Sequence, residues 1–306
     1  MSDEISFDGR VAIVTGAGGG LGRSHALLLA ERGASIVVND LGGDVHGNGG
    51  SDSAAQKVVD EIKARGGNAI ANHDSVATPD GGRAIVKTAV DAFGKVDIVI
   101  NNAGILRDKA FHKMDDDMIN AVIDVHLKGA FFVTKPAFEI MRDQGYGRIV
   151  STTSGTGLFG NFGQSNYGAA KAGLVGLTRT LSLEGAMHNI KANVIAPIAG
   201  TRMTEDILGP DLFEQLTPES VSPIVAYLAS EACDVSSYVY SVAGARIARV
   251  FQCEGPDFLL PEPTPEAVRD NLATINGPAV PMPFLEFASL TEETVLLAES
   301  LSRTER

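Results

Sequence analysis

The sequence predicts an α/β protein built on a doubly wound parallel sheet of about seven strands, with an irregular C-terminal extension. Three observations carry this. Short apolar runs alternate with stretches of helical period; a glycine-rich turn joins the first strand to the first helix; and polar or glycine residues recur at the carboxyl ends of successive strands.

In chain order, "RVAIVTG" is the first strand and "GLGRSHALLLAERG" the first helix. "SIVVND" and "SAAQKVVDEIKARGG" repeat the unit, as do "NAIANHDSV" and "GGRAIVKTAVDAFG". "VDIVINNAG" is the fourth strand. A single long helix is expected over "DDDMINAVIDVHLKGAFFVTKPAFEIMRDQG", followed by the strand "GRIVSTTS" and the helix containing "SNYGAAKAG". The strand "KANVIAP", a helix near "PESVSPIVAYLAS" and a last strand within "YVYSVAGARIARVF" complete the series. Such alternation with short connections places helices on both faces of a parallel sheet, which accounts for strands that are apolar throughout. Residues 1–252 read as one domain and residues 253–306 as an acidic, proline-containing extension.

The chain has 306 residues, 44% of them hydrophobic, and a mean hydropathy of +0.08, enough for a large core. The formal charge of −13 argues against nucleic acid, whose phosphates need a basic surface. That charge is uneven: residues 1–200 hold 21 acidic and 19 basic residues, leaving 17 acidic and 6 basic to the remainder. No segment reads as a signal peptide or a membrane span, and the end "LSRTER" is no peroxisomal address, so a cytoplasmic protein without membrane insertion is expected. Cys233 and Cys253 make neither a disulfide framework nor a metal site, and no metal is expected.

"VTGAGGGLG" ends a strand and opens a helix, where Gly16, Gly20 and Gly22 allow a tight turn and close approach of a pyrophosphate to the helix N-terminus. Asp40 closes the second strand roughly twenty residues on, where a carboxylate accepts from ribose hydroxyls and repels a 2′-phosphate. NAD is therefore favoured over NADP. Asp74 at the third strand end is placed to reach an adenine edge or to form a turn. Asn101-Asn102-Ala103-Gly104 closes the fourth strand at the same sheet edge. In "SNYGAAKAG", Tyr167 and Lys171 lie four residues apart on one helix face, where an ammonium can favour ionisation of a phenol. An ordinary helix surface has the same spacing, so the pair acquires meaning only in company.

In order, Thr15-Gly16, Gly20, Gly22, the Asn101–Gly104 turn, Ser154, Tyr167 and Lys171 resemble the short-chain dehydrogenase/reductase family, with its Rossmann-type fold. The resemblance implies that Tyr167 is the catalytic acid/base, that Lys171 holds the nicotinamide ribose and lowers the tyrosine pKa, and that Ser154 binds the substrate oxygen. It extends the cofactor set to Gly16, Gly20, Leu21, Gly22, Asp40, Asp74 and Ser75 in the first half of the domain. In the second half the set is Asn102, Ala103, Gly104, Tyr167, Lys171, Pro197 and Thr201. His126 stands where most members carry an asparagine, and reads either as a proton relay or as a buried structural histidine.

A narrower resemblance, to the (3R)-hydroxyacyl-CoA dehydrogenase unit of peroxisomal multifunctional enzyme type 2, covers roughly residues 5 to 255. It rests on "VVNDLGGDVHGNGGSDSAAQKVVDEI", "NFGQSNYGAAKAGLVGL" and "IAGTRMTE". It implies NAD-dependent oxidation of a (3R)-3-hydroxyacyl-CoA, a step of β-oxidation that can include a steroid side chain, by a homodimer or homotetramer. A hydroxysteroid dehydrogenase acting on a ring hydroxyl is the alternative, and a non-catalytic dinucleotide-binding module the lesser one. Met203, Ile207, Leu208, Leu212 and Phe213 are expected in a segment over the substrate, with Lys109, Lys113 or Arg202 as candidates to meet the CoA phosphates.

Overall fold

The computed structural model describes residues 4–51, 53–201, 204, 209–252 and 264–276. Three βα units open the chain. They are β1 (Val11–Thr15) with α1 (Gly20–Glu31), β2 (Ser35–Asn39) with α2 (Ser53–Ala64), and β3 (Asn68–Asn72) with α3 (Pro79–Phe93). The local chemistry of α3 shows why it forms: Thr78 caps it by accepting from the Gly81 N–H, Pro79 fits the first turn, and Gly94 ends it in the left-handed conformation.

β4 (Ile98–Asn101) leads to α4 (Asp116–Ile123), a π-helical turn over Asp124–Lys128, and α5 (Gly129–Gln144). The single long helix expected from sequence is thus interrupted where one extra residue is accommodated, a feature often found at functional sites. Pro136 inside α5 cannot donate to the Phe132 carbonyl, and Gly82 of α3 packs against that carbonyl. A Cβ on Gly82 would lie 2.3 Å from that oxygen.

β5 (Gly147–Thr152), the short α6 (Gly155–Phe159), α7 (Ser165–Gly185), β6 (Ile190–Ile198), α8 (Pro210–Gln215) and α9 (Pro218–Ala229) follow. The segment expected to hold one last strand holds two, β7 (Val239–Ala243) and β8 (Arg246–Val250), paired antiparallel around a turn with Gly244 at φ +55°. The sheet therefore has eight strands, in the order β3-β2-β1-β4-β5-β6-β7-β8, and only β8 runs against the others. The described part of the extension is helical rather than irregular. In α10 (Pro265–Ile275), Pro265 starts the helix and Thr264 caps it, since proline suits a first helical turn.

Each sheet face has its own core. One packs Ala26 and Leu29 of α1, Val58 and Ile62 of α2, and Val225 and Leu228 of α9 against Val14, Ile36 and Ile100. The other packs Ile85 and Ala89 of α3 and Val133 and Met141 of α5 against Ile13, Val99 and Ile149. Among the described residues, no helix is long and apolar enough to cross a membrane and no cluster of side chains could hold a metal ion.

Candidate active site

Strand order reverses between β1 and β4, and there, outside the carboxyl ends, lies a cleft of about 410 Å³. The glycine loop forms its floor. Gly16 has φ +64°, and a Cβ on it would stand 2.7 Å from Ala103 Cα, so the turn and the approach of the β4 loop both require glycine. Gly19 starts α1 without a side-chain cap, and a Cβ there would meet nothing within 4 Å. The first N–H groups of α1 thus open on free space that suits a pyrophosphate, which is the cradle a dinucleotide needs.

Thr15 and Asn102 lock this floor to β4. The Thr15 Oγ1 accepts from the N–H groups of Asn102 and Ala103, both at 3.1 Å, and Asn102 Nδ2 donates to the carbonyls of Thr15 at 3.0 Å and Gly16 at 3.1 Å. Asp40 braces the loop: Oδ2 accepts from Gly18 N–H at 2.8 Å and Oδ1 from Gly42 N–H at 2.7 Å. Each carboxylate oxygen has a second lone pair for a ribose hydroxyl. Asp74 accepts from Asn72 Nδ2 at 2.7 Å and, with Ser75, lines the same cleft.

The predicted Gly16, Gly20, Leu21 and Asp40 line one side of the cleft, while Asn102, Ala103, Gly104 and Thr201 line the other. Two of the expected residues, Gly22 and Pro197, stand outside the cleft lining. Gly22 is a packing glycine, since its Cβ would lie 2.3 Å from the Gly16 carbonyl and 2.6 Å from Asn102 Nδ2. Pro197 sits in β6 in register with Val242, away from the cleft lining. Sequence reasoning missed how the glycine-rich loop after β2 folds over the chain beyond β4. There Leu106 N–H donates to the Val45 carbonyl at 2.8 Å, Arg107 Nε to the His46 carbonyl at 3.0 Å, and Gly47 rests on Ile105. Val45, Gly47, Ile105 and Arg107 form that rim. The unusual length of "DLGGDVHGNGG" was the available signal.

Beside the cleft, α7 carries Tyr167 and Lys171 on one face. Lys171 is only 3% exposed, donates from Nζ to the Thr152 carbonyl at 2.6 Å, and has that nitrogen 5.4 Å from the centre of the Tyr167 ring. Ser154 caps α6, its Oγ accepting from Thr156 N–H at 3.2 Å, and is hydrogen-bonded to Tyr167. Gly157 lets α6 reach α7, where a Cβ would fall 2.6 Å from Lys171 Cβ.

Burial pushes the phenol of Tyr167 up to about 12, against the Ser154 hydrogen bond, and pushes the ammonium of Lys171 down to about 7. Desolvation dominates both shifts.

His126 sits in the π-helical turn, buried, with its ring edge-on to Tyr167 at a centroid distance of 5.1 Å. Its Nε2 lies 2.9 Å from the Ile105 N–H and 2.8 Å from the Ile105 carbonyl, so it accepts or donates according to the tautomer, while Nδ1 is buried without a hydrogen-bond partner. Burial first, and then the Lys171 charge, hold the imidazole neutral by lowering its pKa. The ring shares a cavity of about 10 Å³ with Asn101 and Lys171. Gly104 makes room for it, since a Cβ there would come 2.3 Å from His126 Cε1. Of the substrate-side residues expected from sequence, Arg202, Met203, Ile207 and Leu208, with the side chain of Leu212, lie outside the described residues.

The short chain dehydrogenase family model matches residues 10–209. Rv0148 of Mycobacterium tuberculosis, a protein named as a short-chain type dehydrogenase/reductase, is 57% identical over 251 residues, covering 81% of this chain and 88% of that protein. The hydroxyacyl-CoA dehydrogenase ChsB1 of the same organism is 41% identical over 268 residues, covering 81% and 82%. The structure of full-length peroxisomal multifunctional enzyme type 2 from Drosophila melanogaster superposes with a TM-score of 0.76 at 38% identity, covering 98% of this chain and 50% of that one. The chain spans between 30% and 61% of the length of the curated multifunctional and hydratase-dehydrogenase-epimerase relatives it matches. With the glycine cradle, the strand-reversal cleft and the Ser154, Tyr167 and Lys171 cluster on the same sheet edge, these matches establish that the chain belongs to the short-chain dehydrogenase family, whose members use a nicotinamide dinucleotide.

Proposed function

We propose that the protein oxidises a (3R)-3-hydroxyacyl-CoA to the 3-ketoacyl-CoA with NAD. The observation that carries this reading is the convergence of Ser154, Tyr167 and Lys171 beside a cleft whose far side ends in Asp40. Oxidation of a secondary alcohol needs a base for the hydroxyl proton while hydride leaves the carbon. A bound oxidised nicotinamide supplies the hydride acceptor and a positive ring. Tyr167 takes the proton, and Ser154 donates to the substrate oxygen and fixes its direction. Lys171 holds ribose hydroxyls and adds positive charge that favours the phenolate.

Preference for NAD rests on Asp40, whose charge repels a 2′-phosphate. His126 belongs to the catalytic set as a neutral proton carrier, supported by its unpartnered Nδ1 and a cavity beside Lys171 with room for about one water. The acyl-CoA class is supported by the name of ChsB1 and by the multifunctional relatives. Exposed Phe131 on α5, with Leu183 near the end of α7 and Met187 in the turn after it, suits association into a homo-oligomer.

The test is NADH formation from matched (3R)- and (3S)-3-hydroxyacyl-CoA. Turnover of the 3R form alone is expected. Turnover of neither, by protein that binds NAD, would replace the acyl-CoA reading with another secondary alcohol.

A further inference from the structure

Asp108 lies on a segment that bridges the two halves of the site. On one side, Leu106 and Arg107 are tied to the loop after β2 through Val45 and His46. On the other, the Arg107 carbonyl accepts from Asn166 Nδ2 at 3.0 Å and Lys109 N–H donates to the Gly163 carbonyl at 2.8 Å. Between these ties, Asp108 Oδ2 accepts from Gln164 Nε2 at 2.6 Å. Gln164 is buried immediately before α7.

That contact fixes a chain of hydrogen-bond directions. A carboxylate only accepts, so the Gln164 amide must turn its NH₂ toward Asp108 and its Oε1 inward. Oε1 then accepts from Thr156 Oγ1 at 2.9 Å and from Asn161 Nδ2 at 3.0 Å. Thr156, held in this way, donates its backbone N–H to Ser154 Oγ at 3.2 Å. Ser154 has thereby received one hydrogen bond and keeps its own proton to give. We propose that Asp108 is a positioning residue of this active site, its carboxylate orienting Gln164 and Thr156 so that Ser154 directs its one hydroxyl proton to the Tyr167 oxygen, and to the substrate oxygen once substrate is bound.

The same carboxylate opposes ionisation of Tyr167 through its charge, second to burial. The groups facing the pair are known. Burial raises the Asp108 pKa, against the Gln164 amide and then His46, from the loop after β2, which favour the carboxylate. Arg107 and Lys109 flank it in sequence. Ser154, Lys171 and His126 surround Tyr167. Asp108 thus couples the geometry of Ser154 to the ionisation of Tyr167, which a purely structural tie between loops would not do.

The inference rests on the assignment of Ser154 and Tyr167, and Asp108→Asn tests it. The variant can present either end of its amide to Gln164 and carries no charge. It is expected to bind NAD normally and to lose kcat by roughly ten- to a hundredfold, as misplacement of a reacting partner does. The acid limb of kcat/KM should move to lower pH, because the charge opposing the phenolate is gone. Near-ultraviolet tyrosinate absorbance, wild type minus Tyr167→Phe, should titrate lower in the same direction, and Asp108→Glu should hold the wild-type midpoint. Asp108→Asn with wild-type kcat and midpoint would overturn the proposal. If that variant does not fold, Gln164→Glu decides: an isosteric second acceptor should depress kcat at high pH and restore it as the pair takes up a proton, and a pH-independent effect refutes the proposal. If wild type turns over neither hydroxyacyl-CoA, the substrate reading fails while the absorbance titration still reads Asp108.

Discussion

Lys171→Met removes a cation that the fold buries at a cost, and the size of that cost follows from the structure. Burial takes the ammonium from 10.5 to about 7. At 1.36 kcal/mol per pH unit, this corresponds to about 5 kcal/mol of folding free energy lost wherever the lysine is charged in both states, that is, below about pH 7. The hydrogen bond from Nζ to the Thr152 carbonyl returns about 1 to 2 kcal/mol. Methionine is close in volume, so the variant should be about 3 kcal/mol more stable than wild type near pH 6. The unfolded lysine keeps its proton up to 10.5 while the folded one releases it near 7. Wild-type stability therefore rises with pH between those values, and the advantage of the variant should vanish by about pH 9.5. Urea unfolding at the two pH values, with unchanged m, measures the difference directly. A gap independent of pH, or a variant less stable at pH 6, would refute the claim that Lys171 is held against its own solvation.

Gly22→Ala and Gly19→Ala should separate packing from binding. The first places a methyl 2.3 Å from the Gly16 carbonyl and should destabilise by about 1 to 3 kcal/mol. The second meets nothing within 4 Å, so thermal stability should hold while calorimetric NAD affinity falls. Asp40→Asn loses the charge that accepts from Gly18 and Gly42, and NAD affinity should drop by about tenfold while NADP discrimination relaxes in steady-state kinetics. His126→Leu should lower kcat at unchanged NAD affinity, with activity largely kept in His126→Asn. Equal kcat in both variants would make the histidine structural.

The strand and helix order, the glycine cradle, Asp40 and the Tyr167 and Lys171 pair were legible because each depends on spacing within one or two adjacent elements. Gly16 shows the limit. Its place in a turn follows from the sequence, but its contact with Ala103 depends on β1 lying beside β4. The apolar pattern runs through the β7–β8 hairpin as it would through one strand, and only Gly244 marks the turn. The π-helical turn at Asp124–Lys128 leaves no mark in the hydrophobic period, yet it sets the position of His126. Asp108 and Gln164 are 56 positions apart and carry no motif, so their hydrogen bond emerges only when the segment after β4 meets the start of α7. The tyrosine pKa is likewise not legible from spacing. Spacing shows which groups are neighbours, whereas the shift is dominated by how far both are removed from water.

The most direct test of the account is the pH dependence of kcat/KM for oxidation of a (3R)-3-hydroxyacyl-CoA by wild type and Tyr167→Phe, with NAD affinity measured alongside. The account expects wild-type activity to rise with pH along a single ionisation. The variant should bind NAD equally well yet be slower by about a hundred- to ten-thousandfold, the contribution of a general base, with that ionisation absent. A phenylalanine variant that keeps the wild-type pH profile would contradict the assignment of Tyr167 as the proton acceptor.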